Sequence, residues 1–286
     1  MSQNIRNVHV FLKLGGSLIT DKSRPSTPRR ETITRLAKEV RQVLDAAPDM
    51  TLLIGHGSGS FGHWAAKPYG TRQGVQTPAQ WRGYAGVAAA AARLNRIVTD
   101  AFLGAGVPVL SVPPSASARC QDGVLQHMDT HPIHVALAQG LVPLVYGDVA
   151  ADDVRGGTII STEDIFVYLA DELRPGRILL LGEVAGVLDS DGAVVPHITP
   201  ADMPALQAAL TGSERVDVTG GMADKVARMV ELVQRHPESR GHILTGAEAG
   251  LLVQVLLETP PSPGKGPGTQ IAAGQDSTTW QAHKSR

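Results

Sequence analysis

Cysteine is nearly absent from this chain. Cys120 is the sole one in 286 residues, so no intrachain disulfide can brace the fold, and a structural role is expected for its thiol. Net charge is nearly absent as well: 26 Lys and Arg stand against 27 Asp and Glu, a balance of -1, with no basic stripe. That balance excludes the electrostatic footprint of a nucleic-acid binder. Long hydrophobic runs are missing too. None approaches the ~18 residues of a membrane span, and the run Val8 to Leu12 is broken by Lys13, too short for a secretory core region. A cytoplasmic protein with no membrane partner is therefore expected. Also missing are the Gly-Lys-Ser/Thr ending of a Walker loop, the spacing of a dinucleotide fingerprint, and any internal repeat.

What is present is core material in regular order. Hydrophobic residues make up 42% of a 30.1 kDa chain, with 19% charged and 4% aromatic, the composition of a soluble enzyme of one or two domains of roughly 150 residues each. Thr27 as N-cap with Pro28 at the first helical position opens a helix whose apolar residues Ile33, Leu36, Ala37, Val40, Val43 and Leu44 share one face. Thr77-Pro78-Ala79-Gln80 is a capping box that starts a long alanine-rich helix, closed by Gly104. Gly83 and Gly86 inside it predict the close approach of another backbone or a ligand.

Strands are predicted at Val107 to Val112, Val142 to Tyr146, Ile178 to Leu181 and His242 to Leu244. Helices are predicted at Pro132 to Gln139, Thr162 to Leu173, Met222 to Arg235 and Ala247 to Leu257, with hairpin-like turns at Arg155-Gly156-Gly157 and Asp191-Gly192. This alternation predicts an α/β sandwich, a mostly parallel sheet with helices on both faces. Thr259 to Gly268 is rich in Pro and Gly, and Ala272 to Arg286 lacks periodicity and reads as a mobile tail.

Three glycine motifs carry chemistry. Gly55-His56-Gly57-Ser58-Gly59-Ser60-Phe61-Gly62-His63 follows the apolar run Leu52 to Ile54, and a glycine loop leaving a strand lets several N–H groups point at one anion. Lys13-Leu14-Gly15-Gly16-Ser17, with Lys22 beyond it, follows the strand Val8 to Leu12 in the same way. Val218-Thr219-Gly220-Gly221-Met222-Ala223-Asp224-Lys225 leads paired glycines into a helix start, where free N–H groups and the helix dipole favour negative charge. Each motif alone is equally a tight turn with a surface cation. Together they describe a site for several phosphates. His127, His131 and His134 have helical spacing for a metal, but Pro132 lies among them and no Cys or carboxylate completes a set, so a non-metal reading is preferred.

These residues carry a resemblance. Lys13 with Gly15-Gly16-Ser17, the loop from Gly57 to His63, Ser161 to Asp164, and Gly220-Gly221-Met222 with Lys225 resemble the amino acid kinase family from about Val8 to Ile271. The histidine after Ser-Phe-Gly is similar to the branch acting on isopentenyl phosphate and to fosfomycin kinase.

The resemblance implies an open three-layer αβα sandwich, with an N-terminal acceptor lobe to about residue 173, a C-terminal nucleotide lobe from about 174 to 271, and a homodimer. It implies ATP with Mg²⁺ and a small phosphate monoester, isopentenyl phosphate, converted to its diphosphate in isoprenoid biosynthesis. Lys13, Gly15, Gly16 and Ser17 would hold the transferred phosphate, Lys22 would reach the γ-phosphate, and Gly59 would face ATP. Gly57, Ser58 and His63 would hold the acceptor phosphate, bordered by Gly147 and Asp148.

Gly221 and Lys225 would contact nucleotide phosphates, and Asp164 would orient Lys13 and Lys225 while also capping its helix from Ser161. Gly182-Glu183-Val184-Ala185-Gly186 stands where the family carries Thr-Asp-Val-Asp-Gly, with Glu183 among the nucleotide-side candidates. Ser58 replaces a glycine of the loop, which offers its hydroxyl to phosphate. Two other functions fit the same anion-ready loops: a kinase for a fosfomycin-like phosphonate, and a non-catalytic polyanion or nucleotide binder on the same fold.

Overall fold

The structure, a computed structural model, describes residues 9–189, 191–204, 206, 221–258 and 266–274. The sequence-based readings at Val218 to Gly220, at Thr259 to Lys265 and from Gln275 onward fall outside these residues. The chain starts on β1 (Val10–Leu14), turns through the single-turn α1 (Gly16–Ile19), and follows α2 (Arg30–Ala46) to β2 (Leu52–His56). Then come α3 (Gly59–Ala66), the long α4 (Pro78–Gly104), β3 (Val109–Ser111), the hairpin β4 (Arg119–Gln121) and β5 (Val124–His127), α5 (His131–Ala138) and β6 (Val142–Tyr146). A second hairpin, β7 (Asp148–Asp152) and β8 (Gly156–Ile160), precedes α6 (Thr162–Leu173) and β9 (Arg177–Gly182). The remainder is β10 (His197–Ile198), α7 (Gly221–Arg235), β11 (Arg240–Thr245), α8 (Leu251–Leu257) and β12 (Thr269–Ile271).

Eight strands form the central sheet in the order β10-β12-β11-β9-β1-β2-β6-β3. From β11 through β3 they run parallel, whereas β12 is antiparallel to β11 with β10 parallel beside it. The expected mostly parallel α/β sandwich is therefore what the chain forms. Its connections step one way from β1 to β2 and the other way from β9 to β11. That reversal opens a crevice beyond the carboxyl ends of β1 and β9.

Strand pleating divides the core in two, because successive side chains point to opposite faces. Val10, Leu12 and Leu14 join the apolar cluster under α2, α4 and α8. Phe11 joins the cluster under α5, α6 and α7. A smaller sheet, β5-β4-β7-β8, stands beside the main one. Its turns are tied by the Asp152 carboxylate, which accepts the N–H groups of Asp122, Gly123, Val154 and Arg155 at 2.7 to 3.2 Å. Those bonds overcome the effect of burial and hold its carboxyl below the usual range.

Several local expectations are refined. Helix α2 starts at Arg30 rather than at Pro28, because Pro28 bridges to Thr20 and the Arg29 N–H donates to Ile19. Its predicted apolar face is buried as read, from Ile33 to Val43. The capping box at Thr77 is present with both reciprocal bonds. Gly83 makes room for a side chain, since a β-carbon there would collide with the Tyr69 ring, while Gly86 faces open space. Half of the long glycine motif is helix, since α3 begins at Gly59. Ala272 is buried and donates its N–H to Ile198 at 3.2 Å, so it continues the sheet rather than opening a tail.

Cys120 is buried, and burial pushes its thiol up to about 11, as befits a packing role. His134 meets Glu172 at 3.0 Å. No helix among the described residues is long and apolar enough to cross a membrane.

Phe166 lies at the centre of one core, fully buried against Phe11 with ring centroids 5.0 Å apart. Phe166→Ala is expected to lower unfolding free energy by about 3–5 kcal/mol through the cavity it leaves, read as a reduced midpoint in urea at unchanged slope. A loss below about 1 kcal/mol would mean that this core repacks freely.

Candidate active site

The register of β1 against α6 builds the centre of the crevice. Phe11 and Lys13 point to the same side of β1, and Glu163 and Phe166, three residues apart, share a face of α6. One step along the strand from the Phe11–Phe166 contact, the Lys13 ammonium meets the Glu163 carboxylate. Each residue is only 6% exposed. Burial alone would raise the Glu163 pKa, but the charge and hydrogen bond of Lys13, helped by Lys225, hold it below the usual carboxylate value. Lys225, four residues into α7, is lowered from the ordinary lysine value by burial and by the charge of Lys13, with Glu163 opposing. One carboxylate thus pairs with Lys13 and also bears electrostatically on Lys225.

For Lys13 that carboxylate is Glu163, which corrects the expectation that Asp164 would hold it. The Asp164 side chain accepts the N–H and hydroxyl of Ser161 at 2.9 and 2.8 Å, while Ser161 accepts the Asp164 N–H at 3.1 Å. Its second oxygen meets Arg228 Nε at 3.0 Å. One residue along a helix is a turn of about 100°, so Asp164 caps its own helix and meets Arg228 of α7, while Lys13 is left to Glu163. The motif Ser161-x-x-Asp164 marks Asp164 as a cap, but what Glu163 faces depends on how α6 packs on β1.

The two glycine loops meet at the mouth of the crevice. The Gly15 N–H donates to Leu181 at 2.8 Å, and the Gly57 N–H donates to Leu14 at 3.1 Å. At the start of α3 the Ser60 N–H goes to the Thr20 hydroxyl at 2.9 Å, and those of Phe61 and Gly62 turn back to Ser58 at 3.1 Å. Of the amides from Gly57 to Gly62, those of Ser58 and Gly59 have no partner among the described residues. The anion cradle is narrower than the motif suggested, two amides and a helix start that carries His63 in its second turn. The Ser58 hydroxyl lies against Gly62, where a β-carbon would collide with it.

A cleft of about 840 Å³ runs over these groups. Lys13, Gly16, Ser17, Lys22, Gly57, Ser58, Gly59, His63, Gly147, Glu183, Gly221 and Lys225 all line it. Gly15 lies behind it on Leu181, and Asp164 lines an adjoining recess of about 340 Å³ with Arg228. The carboxylate of Glu183 is held by Arg29, which ties the segment before α2 to the loop after β9. Lys67 and Arg72 also reach the cleft. They sit in a connecting segment without motif character, so nothing in the sequence marked them.

His56 supports the cleft from below. Its ring is fully buried, stacks on Tyr146 at 5.4 Å, and is kept neutral by burial with a pKa lowered to about 4. Its carbonyl accepts the Thr162 hydroxyl at 2.7 Å and the Gly147 N–H at 3.0 Å, joining β2 to the start of α6 and the end of β6. The whole arrangement gathers more cations than free carboxylates at strand ends, which suits it to hold two phosphate groups facing each other.

The sequence profile of the Amino acid kinase family matches residues 9–244, and the chain belongs to that family. It is similar to the isopentenyl phosphate kinase of Haloferax volcanii, 38% identical over 251 residues that cover 86% of this chain and 98% of that one. The isopentenyl phosphate kinase of Methanocaldococcus jannaschii is 32% identical over 270 residues, 91% and 97% of the two chains. Among solved structures, the T. acidophilum isopentenyl phosphate kinase product complex is similar at 28% identity and a TM-score of 0.72, over 92% of this chain and 99% of that one.

Glu163→Gln is expected to lower kcat on the order of 100-fold, because two lysines lose their shared counter-charge. Asp164→Asn, which keeps an acceptor at the cap, is expected to stay within about fivefold of wild type. Steady-state kinetics on both purified variants decides between them, and the reverse order of effects would return the orienting role to Asp164.

Proposed function

We propose that this chain transfers the γ-phosphate of ATP to isopentenyl phosphate, giving isopentenyl diphosphate and ADP. The observation that carries this reading is one cleft in which Lys13, Lys22 and Lys225 stand beside the helix start bearing His63. Similarity to isopentenyl phosphate kinases over almost the whole chain supports it. A phosphate monoester has a second pKa of about 6 and is largely ionised near neutral pH, so the attacking oxygen needs no general base. A cleft whose carboxylates are already engaged, Glu163 by Lys13 and Glu183 by Arg29, suits such an acceptor.

In this reading the acceptor phosphate sits at the Ser58 amide, Gly57 and His63, bordered by Gly147. The nucleotide phosphates lie toward Gly16, Ser17, Gly59, Gly221 and Lys225. An acceptor oxygen attacks the γ-phosphorus as the bond to the β,γ-bridging oxygen breaks, and ADP leaves with that electron pair. Lys13, held by Glu163, and Lys225 neutralise charge on the transferred group, and Lys22 approaches it from its loop. Contacts that strengthen as this charge shifts raise kcat rather than only lowering KM.

Mg²⁺ is implied by the family, but the donor set does not fit an ion held by the protein. The nearby carboxylates are tied to Lys13 and Arg228, and no group of three His, Cys, Asp or Glu side chains gathers among the described residues. An ion that accompanies ATP would rest on phosphate oxygens and water. A cytoplasmic homodimer with an acceptor lobe to about residue 173 and a nucleotide lobe from about 174 to 271 belongs to the same reading. His63 and Gly147 precede that division, whereas Glu183, Gly221 and Lys225 follow it.

In a coupled ADP-release assay, isopentenyl phosphate is expected to give a higher kcat/KM than dimethylallyl phosphate, fosfomycin, glutamate or UMP. Fosfomycin or an amino acid ahead by tenfold, about 1.4 kcal/mol, would sink the assignment.

His63→Ala is expected to raise the acceptor KM by about tenfold or more with the ATP KM near wild type, since a lost hydrogen bond to phosphate is worth about 1.5–3 kcal/mol. His63→Gln, which retains a donor, should recover part of the loss. A defect confined to the ATP KM would move His63 to the nucleotide side.

A further inference from the structure

One buried hydroxyl stands at the seam between the two glycine loops. Thr20 follows α1 and is fully buried. Its Oγ1 donates to the Gly16 carbonyl at 2.6 Å and accepts the Ser60 N–H at 2.9 Å. A single hydroxyl thus joins the loop that leaves β1 to the helix that leaves β2.

The backbones touch around it. A β-carbon on Gly16 would lie 2.7 Å from the Gly59 nitrogen, and one on Gly59 would lie 2.7 Å from the Gly16 carbonyl and collide with Thr20 Oγ1. Gly59 also holds a φ of +50°, a region that favours glycine. Contact between bare backbones is non-directional and permits sliding, whereas a hydroxyl that donates one way and accepts another fixes both neighbours at once. The Ser60 N–H belongs to the first turn of α3, where such groups lack helical partners and could serve an anion. Here it is turned onto a protein side chain, which is the use expected of a spacer.

The far end of the same segment is tied to the same helix. The Thr27 N–H donates to Ser60 Oγ at 3.1 Å, the Asp21 N–H donates to Thr27 at 2.9 Å, and the Trp64 indole donates to the Lys22 carbonyl at 3.3 Å. The segment that carries Lys22 is thereby seated on the helix that carries His63.

We infer that Thr20 is a positioning residue: its hydroxyl sets the spacing between the loop on the nucleotide side and the helix on the acceptor side, and so the in-line approach of the two phosphates. Thr20 lies beneath the cleft and contacts its two walls. The inference rests on the phosphoryl transfer proposed above. Each wall can hold its own phosphate without Thr20, so the hydroxyl matters when both are bound and the group moves between them. Transfer of this kind is sensitive to displacements of about 1 Å, which can lower a rate about 100-fold.

The test compares Thr20→Val, Thr20→Ala and Thr20→Ser in the full chain. Thr20→Val and Thr20→Ala are expected to lower kcat by about 30-fold or more. The Kd for isopentenyl phosphate alone, and for a non-hydrolysable ATP analogue alone, should stay within about twofold by calorimetry. Thr20→Ser, which keeps the hydroxyl, should return kcat to within about threefold of wild type. A purely structural residue would lower the melting temperature without this split between rate and affinity. A folded Thr20→Val or Thr20→Ala variant with near-wild-type kcat overturns the inference, as does loss of either binary affinity with kcat retained. Failure of both to fold while Thr20→Ser folds and works would assign the hydroxyl to stability and also overturn it. Wild-type protein inert toward isopentenyl phosphate would instead reject the function on which the inference rests.

Discussion

Two opposite charges, Lys13 and Glu163, meet where water barely reaches, and the charge balance at the centre of the cleft follows from that meeting. Removing an ion from water is expensive, several kcal/mol or so per charge, and either partner alone would be an uncompensated charge in the core. The pair is therefore weak evidence for extra stability and strong evidence for a constraint. It binds the end of β1 to the first turn of α6. The Phe11–Phe166 contact one step below keeps the two elements in that register. Lys225 then comes within the influence of a neighbouring cation that is only partly balanced by Glu163. The resulting excess of positive charge sits at the sheet's switch point, where an anion is the natural counterpart.

A second constraint acts through backbone rather than charge. Two loops can approach until main chain touches main chain only if both are bare of side chains at the contact, which Gly16 and Gly59 supply. The same closeness consumes polar groups. The Gly15, Gly57 and Ser60 amides are bonded within the protein, so a motif that looks like a ring of anion donors offers fewer than its glycine content implies. The glycines let the cleft walls close up, and the donors that remain are few and well placed. Beneath them the neutral His56, with its carbonyl holding both Thr162 and Gly147, links the walls without adding charge.

Much of the architecture was legible where the signal was local. The capping boxes at Thr77 and Ser161 each need four consecutive residues, and both are formed as read. The strand at Val142 to Tyr146 and the helix at Thr162 to Leu173 have the bounds that their apolar patterns predicted. Errors arose where a distant partner competed with a local preference. Pro28 looks like a helix start, but its pairing with Thr20 postpones α2 to Arg30. The Gly59 to Ala66 stretch looks like loop because glycine disfavours helix, yet its contact with α1 and its packing on α4 make it helical. The hairpin β4 to β5 has strands too short for alternation to register.

The alternation of apolar runs along the chain alone determined the fold class, and the motifs carried the resemblance to the family and marked the lysines and glycines that collect at strand ends. Such features depend on spacing along the chain, and spacing is written in the residues. The tertiary structure alone decided which of two adjacent acids pairs with Lys13, which amides remain open to an anion, and that Arg29 holds Glu183. Those outcomes turn on a helical rotation of about 100° per residue and on contacts between segments that lie far apart in sequence. Neither leaves a mark in any short stretch of chain. Glu163 and Asp164 are chemically alike in the sequence and are distinguished by what stands opposite each one.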